Sequence, residues 1–361
     1  MPMNFSEIVI LFLGVLMLLP TIASLTRFDE WWVRAFDFPR IQISFLILLV
    51  LIITSLISPF NKTWHFILAA LLAASLIYQF VKIFPYTILA KKQVLSFKGD
   101  DPSAIISVLV SNVLTTNTNY QKLLDLIEKK QPDIVLTLET DGQWEKELET
   151  IEKKYPYSVK VPQDNLYGMH LYSKMELEDV KVKYLIKEDI PSIHGYIKMN
   201  NKARIKFHAL HPKPPSPTED PTSTNRDAEL LMVGKKVKKN QESVLVFGDL
   251  NDVAWSRTTR LFQKLSGLLD PRIGRGFYNT FHADYRILRW PLDHVFHTSD
   301  FTLIELSRLE HVGSDHFPMF IKLNFEPRAE TLQEEPEEAD EDEKEWAEEK
   351  IKDGKPKDGD I

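Results

Sequence analysis

The chain has 361 residues, 44 basic against 51 acidic side chains for a net charge of -7, and no cysteine. That length exceeds one small domain and suggests about two units, while the lack of thiols excludes disulfides and thiolate metal sites. The mean hydropathy of -0.19 is ordinary for a soluble protein, but it averages an apolar start against a strongly charged end.

In chain order, the first region is apolar. Ile8 to Leu25, Ile41 to Phe60 and Trp64 to Val81 contain no Asp, Glu, Lys or Arg, and each is about as long as a helix needs to cross a bilayer. Three transmembrane helices are expected, within a membrane domain over residues 1–95. No basic region precedes Ile8 and no small-residue cleavage site follows Leu25, which argues against a cleaved signal peptide. Trp31, Trp32, Trp64, Tyr78 and Tyr86 lie near the ends of the runs, where amphipathic rings settle at headgroup depth. Arg27, Arg34 and Arg40 occupy the first loop and Lys91 and Lys92 follow the third run, against Lys62 alone in the second loop. By the positive-inside rule, this excess is expected to place the following domain in the cytoplasm.

Residues 96–328 alternate between strand and helix patterns. Ala104 to Ser111 (AIISVLVS) and Asp133 to Glu139 (DIVLTLE) read as buried strands, with the helical spacing of Tyr120 to Lys130 between them. A second helix is expected over Gln143 to Lys154. The short strands YSVKV, GMHLYSK, KVKYLI, IHGYIKM and ARIKFHAL follow and imply antiparallel pairing. A basic amphipathic helix over Asn225 to Lys239 leads into the strand Ser243 to Asp249. Then come a helix from about Ser256 and strands near 293–297, 301–308 and 317–324. This is an α/β sandwich pattern. Residues 329–361 hold fifteen acids against five bases, which leaves the rest of the chain at +3. With few apolar residues, this segment is expected to be a disordered acidic tail, open to a protein partner.

The informative polar residues end or open apolar strands, where a rigid scaffold aims them into one cleft. Asn112 ends the first strand and Glu139 the second, hard oxygen donors suited to magnesium or manganese. Asp249 and Asn251 flank Leu250 in GDLND, where a carboxylate can orient water and an amide can donate to a phosphoryl oxygen. Asp293 and His294 open one strand; Ser314, Asp315 and His316 open the last. An acid beside a histidine offers a proton relay and a metal ligand together. His211, after the strand RIKFHAL, is suited to bond or protonate a phosphate. Each residue taken alone fits a turn or a helix cap equally well.

Taken in order, the set resembles the endonuclease/exonuclease/phosphatase superfamily over about Ala104 to Leu323, through QPDIVLTLE, VLVFGDLND, RWPLDHVF and GSDHFPM. The likeness is greatest to bacterial members with hydrophobic N-termini. It implies a four-layer α/β sandwich with two mixed, mainly antiparallel sheets behind the three transmembrane helices. It also implies a phosphoester hydrolase dependent on Mg2+ or Mn2+. On that pattern Asn112, Glu139 and Asp315 hold metal, Asp249 positions water, Asn251 and His211 hold phosphate, and the His316–Asp293 dyad stabilises the transition state or acts as base. Leu250 and Leu138 depart from the residues usual in the family, and His208 competes with His211. His211 is preferred because it follows the strand rather than lying inside it. Nucleic acid, through the basic run Lys235 to Lys239, and a membrane phospholipid, through proximity to the lipid bilayer, are the competing substrates. A catalytically silent scaffold is the third reading.

Overall fold

The computed structural model describes residues 3–57, 62–99 and 102–357. It comprises two compact units: residues 1–90 with 215–223, and 91–214 with 224–361.

The first unit is helical. α1 (Phe5–Leu25) starts at a capping box made by Asn4 and Glu7, in which two otherwise unpaired helix-end donors are satisfied reciprocally. α2 (Trp31–Arg34), α3 (Arg40–Ile57) and α4 (Thr63–Ile83) follow. Ile10, Ile43, Ile47, Val50, Leu68 and Leu72 form their shared core. At Gly14 a Cβ would stand 2.7 Å from Leu68, so the missing side chain lets α1 and α4 approach closely.

Two helices, Phe5–Leu25 and Thr63–Tyr86, are long and apolar enough to cross a membrane, and a third span results if the bent pair Trp31–Asp37 and Arg40–Leu56 counts as one. The last residues of the second apolar run expected from sequence, 58–60, lie outside the described residues.

A polar network lies among these helices. Arg40 bonds Gln79 at 2.8 Å and pairs with Asp37, while Gln79 reaches Thr21 at 2.9 Å. Arg34 also pairs with Asp37, at 3.2 Å. Two of the arginines that contribute to the positive charge of the first loop are therefore buried and share the one carboxylate of Asp37. The proline-rich stretch after His211 divides: residues 215–223 belong to this unit, with Trp31 N donating to Pro221 O and Ser223 N to Asp29 O.

The second unit is built on two sheets. One has the order β10-β11-β1-β2-β4-β3 and the other β5-β6-β7-β8-β9. The strands are β1 (Ile105–Asn112), β2 (Ile134–Leu138), β3 (Tyr157–Val161), β4 (Met169–Ser173), β5 (Glu176–Lys183) and β6 (Ser192–Lys198). They continue with β7 (Arg204–Leu210), β8 (Val244–Asp249), β9 (Asp293–His297), β10 (Phe301–Arg308) and β11 (Met319–Phe325). Each sheet has a single parallel pair, β1 with β2 and β7 with β8, and is otherwise antiparallel. The parallel pairs need crossovers, supplied by α5 (Tyr120–Lys130) and α7 (Thr224–Asn240).

Residues that alternate along the strands divide between two faces. Val108, Val110, Leu136, Phe207, Leu245 and Phe247 meet in the core between the sheets. Leu109 and Val135 face the other way, against α5 and α6 (Gly142–Leu148). Val244 and Val246 face α7 and α8 (Arg257–Ser266). Helix, sheet, sheet and helix thus form four layers.

The acidic tail departs from its expected disorder. Glu341–Asp353 forms α9, capped by Asp340, and buries Trp346 and Ala347 with Ala339 against Leu231 and Leu261. Its charge is matched locally: Glu343 pairs with Lys264 at 2.8 Å, and Glu348 pairs with Lys235. A few well-spaced apolar residues and opposite charges on α7 and α8 suffice to dock a segment whose composition reads as disordered. Residues 358–361 lie outside the described residues.

Candidate active site

All of the sequence-predicted site residues except Asp315 and His316 lie at, or within two residues of, strand ends, and those two adjoin in the loop just before β11. Asn112 ends β1, Glu139 follows β2, His211 follows β7, Asp249 ends β8 and Asn251 lies just beyond it. These are the carboxyl ends of the four parallel-paired strands, where side chains project clear of the sheet. Asp293 opens β9 and is the register partner of Asp249, while His316 precedes β11, which runs antiparallel to β1.

Gly248 explains part of this geometry. Its φ is +145°, and a Cβ there would lie 1.9 Å from the carbonyl oxygen of Leu210, so only glycine lets β8 approach β7 closely enough to bring Asp249 beside His211. Glu139 and Asn251 also have positive φ, 61° and 52°, a region that non-glycine residues seldom occupy and that clusters at functional sites.

The side chains converge on Asp249. Asn112 Nδ2 donates to Glu139 at 2.7 Å and to Asp249 at 3.2 Å. His316 Nε2 lies 3.5 Å from Asp249 Oδ2, and its Nδ1 lies 2.8 Å from Asp293 Oδ2. His211 Nε2 is 3.9 Å from Asp249. Asn251 donates its backbone N–H to Asp249 at 3.0 Å and its side-chain amide to Pro212 O at 3.0 Å. Ser314 Oγ donates to Asn112 O at 2.8 Å and accepts from His316 N at 3.0 Å, which ties the His316 loop to the end of β1.

Burial opposes a charge on His316, but Asp249 and Asp293 outweigh it and raise the imidazole to about 10. His316 is therefore an imidazolium held between two carboxylates at neutral pH. Glu139 behaves in the opposite sense. Burial raises its carboxyl to about 7, the bond from Asn112 and the charge of His316 oppose the rise, and Asp315 and Asp249 add to it.

Two histidines stand apart from this set. His208 lies inside β7, opposite His194 and Val246, with its Nδ1 2.6 Å from that of His194. His294 bonds Asp252 O at 2.8 Å and meets Arg272; burial and Arg272 hold it well below the ordinary histidine value, so it acts as a neutral brace. Sequence reasoning missed Phe281, whose ring lies 4.9 Å from that of His316, and Tyr167, 5.3 Å from His211. Phe281 adjoins no strand, and Tyr167, two residues before β4, is not one of the Asn, Asp, Glu and His residues whose placement marked the others.

A cation fits here. Glu139 Oε2 is buried without a hydrogen-bond partner, and a buried carboxylate raised by desolvation is relieved by a positive charge. Among the described residues the Oδ1 of Asn112 accepts from Leu114 N alone, at 3.1 Å, which leaves it a second lone pair. Asp249, Asp293 and His316 also bring ligand atoms within 4.8 Å of one another, but the bond between His316 and Asp293 occupies that group with a proton.

Residues 109–316 match the Endonuclease/Exonuclease/phosphatase family. The chain belongs to that family. Solved structures with the same fold include a humanized D. rerio TDP2, at 16% identity and a TM-score of 0.51, covering 62% of this chain and 100% of that one. The human Nocturnin catalytic domain with bound sulfate gives 15% and 0.51 over 63% and 96%. An endonuclease/exonuclease/phosphatase from Bacteroides vulgatus gives 16% and 0.50 over 62% and 99%. At such identities the likeness is one of fold. No curated protein matches the chain. Members of the family are metal-dependent phosphoesterases, which places this chain among hydrolases at the family level.

Proposed function

We propose that this protein is a membrane-anchored, divalent-metal-dependent phosphoester hydrolase of the phosphodiesterase or nuclease type. The observation that carries the reading is Asp249 held between Asn112, His211 and the His316–Asp293 dyad, beside a glutamate with a buried unpaired oxygen. Magnesium or manganese held by Asn112, Glu139 and Asp315 would supply Lewis-acid polarisation of a phosphoryl oxygen.

The chain's own residues cover the remaining needs of phosphoester cleavage. Asp249 accepts a proton from the attacking water and aims it. The imidazolium of His316 sets positive charge where the phosphoryl oxygens become more negative, and Asp293 fixes its ring and tautomer. His211 and Asn251, on the β7 and β8 sides of Asp249, hold a phosphate oxygen.

Two substrates remain in competition. D. rerio TDP2, a protein of the same fold, is described in complex with a single-strand DNA product, which favours nucleic acid. The apolar helices favour a phospholipid headgroup instead, since holding the catalytic unit at a bilayer raises the local concentration of lipid. The basic run of α7 gives nucleic acid little support, because Lys235 and Lys238 are paired with Glu348 and Glu335. Arg27, Lys91 and Lys92 support a cytoplasmic catalytic unit.

The test is hydrolysis by the full chain, with magnesium or manganese, of plasmid DNA, RNA, phosphatidylinositol phosphates and sphingomyelin. Cleavage of one class assigns the substrate. Binding of metal without cleavage of any of them, or of a soluble phosphodiester, would overturn the enzymatic reading in favour of a scaffold.

A further inference from the structure

Asn251 is held from three sides. Its backbone lies at a φ of 52°, a conformation that persists in a non-glycine residue only where the surroundings fix it. Its N–H donates to Asp249 at 3.0 Å, one proton of its side-chain amide goes to Pro212 O at 3.0 Å, and its carbonyl accepts from Arg226 Nη1 at 2.9 Å.

The grip of Arg226 is itself fixed. The residue is 2% exposed. Its Nε and Nη2 both donate to Asp227, at 3.0 Å and 2.8 Å, and its Nη1 stands 3.4 Å from Asp252 Oδ1. A planar guanidinium anchored along one edge by a carboxylate keeps its remaining nitrogen aimed in one direction. Asp252 is held in turn by the hydroxyls of Ser256 and Thr259.

Pro212 and Arg226 bracket one segment of chain. Both belong to the unit that contains Asn251, whereas residues 215–223 between them belong to the helical unit. There the segment pairs antiparallel with the turn before α2: Glu30 faces Thr222, Trp31 N donates to Pro221 O at 3.0 Å and Ser223 N to Asp29 O at 2.8 Å. Arg226 follows Ser223 by three positions, within the first turn of α7. Pro212 precedes Pro215 by three, in the run Pro212, Lys213, Pro214, Pro215. A helical turn and a proline-rich run are both stiff, so each passes on a displacement that a flexible linker would absorb.

We propose that Arg226 is a positioning residue for Asn251, and that through Arg226 and Pro212 the helical unit sets where Asn251 stands. A shift of the turn at 29–31 moves the segment paired with it, and both ends of that segment bond to Asn251. The coupling does not depend on what the site does. Its effect on rate rests on the hydrolase reading, in which Asn251 holds a phosphate oxygen.

Trp31→Pro removes the N–H that holds Pro221 O. Proline fits the first position of α2, and Glu30, with a ψ of 135°, already has the backbone that a following proline requires. Trp31→Ala loses the same ring but keeps the N–H. Residue-resolved hydrogen exchange on the full chain in detergent reads the Asn251 amide. It should exchange at least about tenfold faster in Trp31→Pro, and at the wild-type rate in Trp31→Ala. The same acceleration is expected in Arg226→Lys, whose single ammonium cannot span Asp227 and Asn251 O together. On a soluble phosphodiester, kcat of Trp31→Pro and Arg226→Lys should fall by about tenfold or more with magnesium affinity unchanged, whereas a general loosening of the fold would weaken both. If Trp31→Pro does not fold, a Gly-Gly insertion after Pro214, which slackens the proline run, takes its place with the same expectation. An Asn251 amide as protected in these variants as in wild type would overturn the proposal, whatever the rates. Faster exchange in Arg226→Lys alone would keep the positioning role and overturn the coupling. Faster exchange in all of them, in a protein whose wild type hydrolyses nothing, would contradict the hydrolase reading and leave the coupling standing.

Discussion

Asp293 and His316 are joined by a 2.8 Å bond between Oδ2 and Nδ1, and the other ring nitrogen of His316 is turned toward Asp249. The bond makes the imidazole a fixed cation rather than a titrating one near neutrality, since burial alone would discharge it and the two carboxylates raise it to about 10. Asp293→Asn removes one of those charges. The alkaline limb of the kcat profile should move to lower pH, with kcat reduced by about a hundredfold or more. An unmoved limb, measured by pH-rate profiles on a soluble phosphodiester, would show that His316 is not the group that titrates.

Glu139 leads to a prediction about metal binding. Its carboxyl, raised to about 7 chiefly by burial, must lose its proton to bind a cation. Protons therefore compete below pH 7, and apparent affinity for magnesium should fall as pH drops from about 7 to 5, with proton release on binding. Calorimetry in buffers of different ionisation enthalpy reads that release. Glu139→Gln should abolish the pH dependence and weaken binding by about tenfold or more.

Glu229 tests burial away from the site. Burial raises its carboxyl to about 8, and its Oε1 has no hydrogen-bond partner. Between its unfolded value of 4.5 and about 8, the native state holds a proton that the unfolded chain has lost, so stability falls as pH rises through this window. Glu229→Gln should be flat across it and more stable than wild type by about 4 kcal/mol at pH 8. Thermal unfolding in detergent at pH 5 and pH 8 checks the sign: the gap should open only at the higher pH.

The docked tail gives a fourth prediction. Trp346 is buried against Leu231 and Leu261, so Trp346→Ala should cost about 3 kcal/mol and free Lys235 and Lys264 of their glutamate partners. Raised protease sensitivity after residue 333, with the rest of the chain intact, is the expected readout.

Much of the geometry of the candidate site was legible because its signals are local. The apolar runs VLVSN, DIVLTLE and VLVFGD each end in a polar residue, and strand ends are where such residues project. The tail was misread because composition cannot show that Trp346 fits between α7 and α8, or that Lys235 and Lys264 wait opposite Glu348 and Glu343. The contact of Phe281 with His316 joins residues 35 positions apart and left no periodic trace. Residues 215–223 of the proline-rich stretch after His211 pair through their backbone with Asp29 and Trp31, a partner that loop composition does not reveal.

The central claim is that Asp249 works in a metal-dependent phosphoester hydrolase site. Purified full-length protein, assayed with magnesium or manganese on bis(p-nitrophenyl) phosphate, tests it directly. Wild type should hydrolyse the diester and lose activity with chelator. Asp249→Ala should lose activity by about a thousandfold or more while keeping the wild-type unfolding temperature to within a few degrees. Full activity in a folded Asp249→Ala variant would contradict the account.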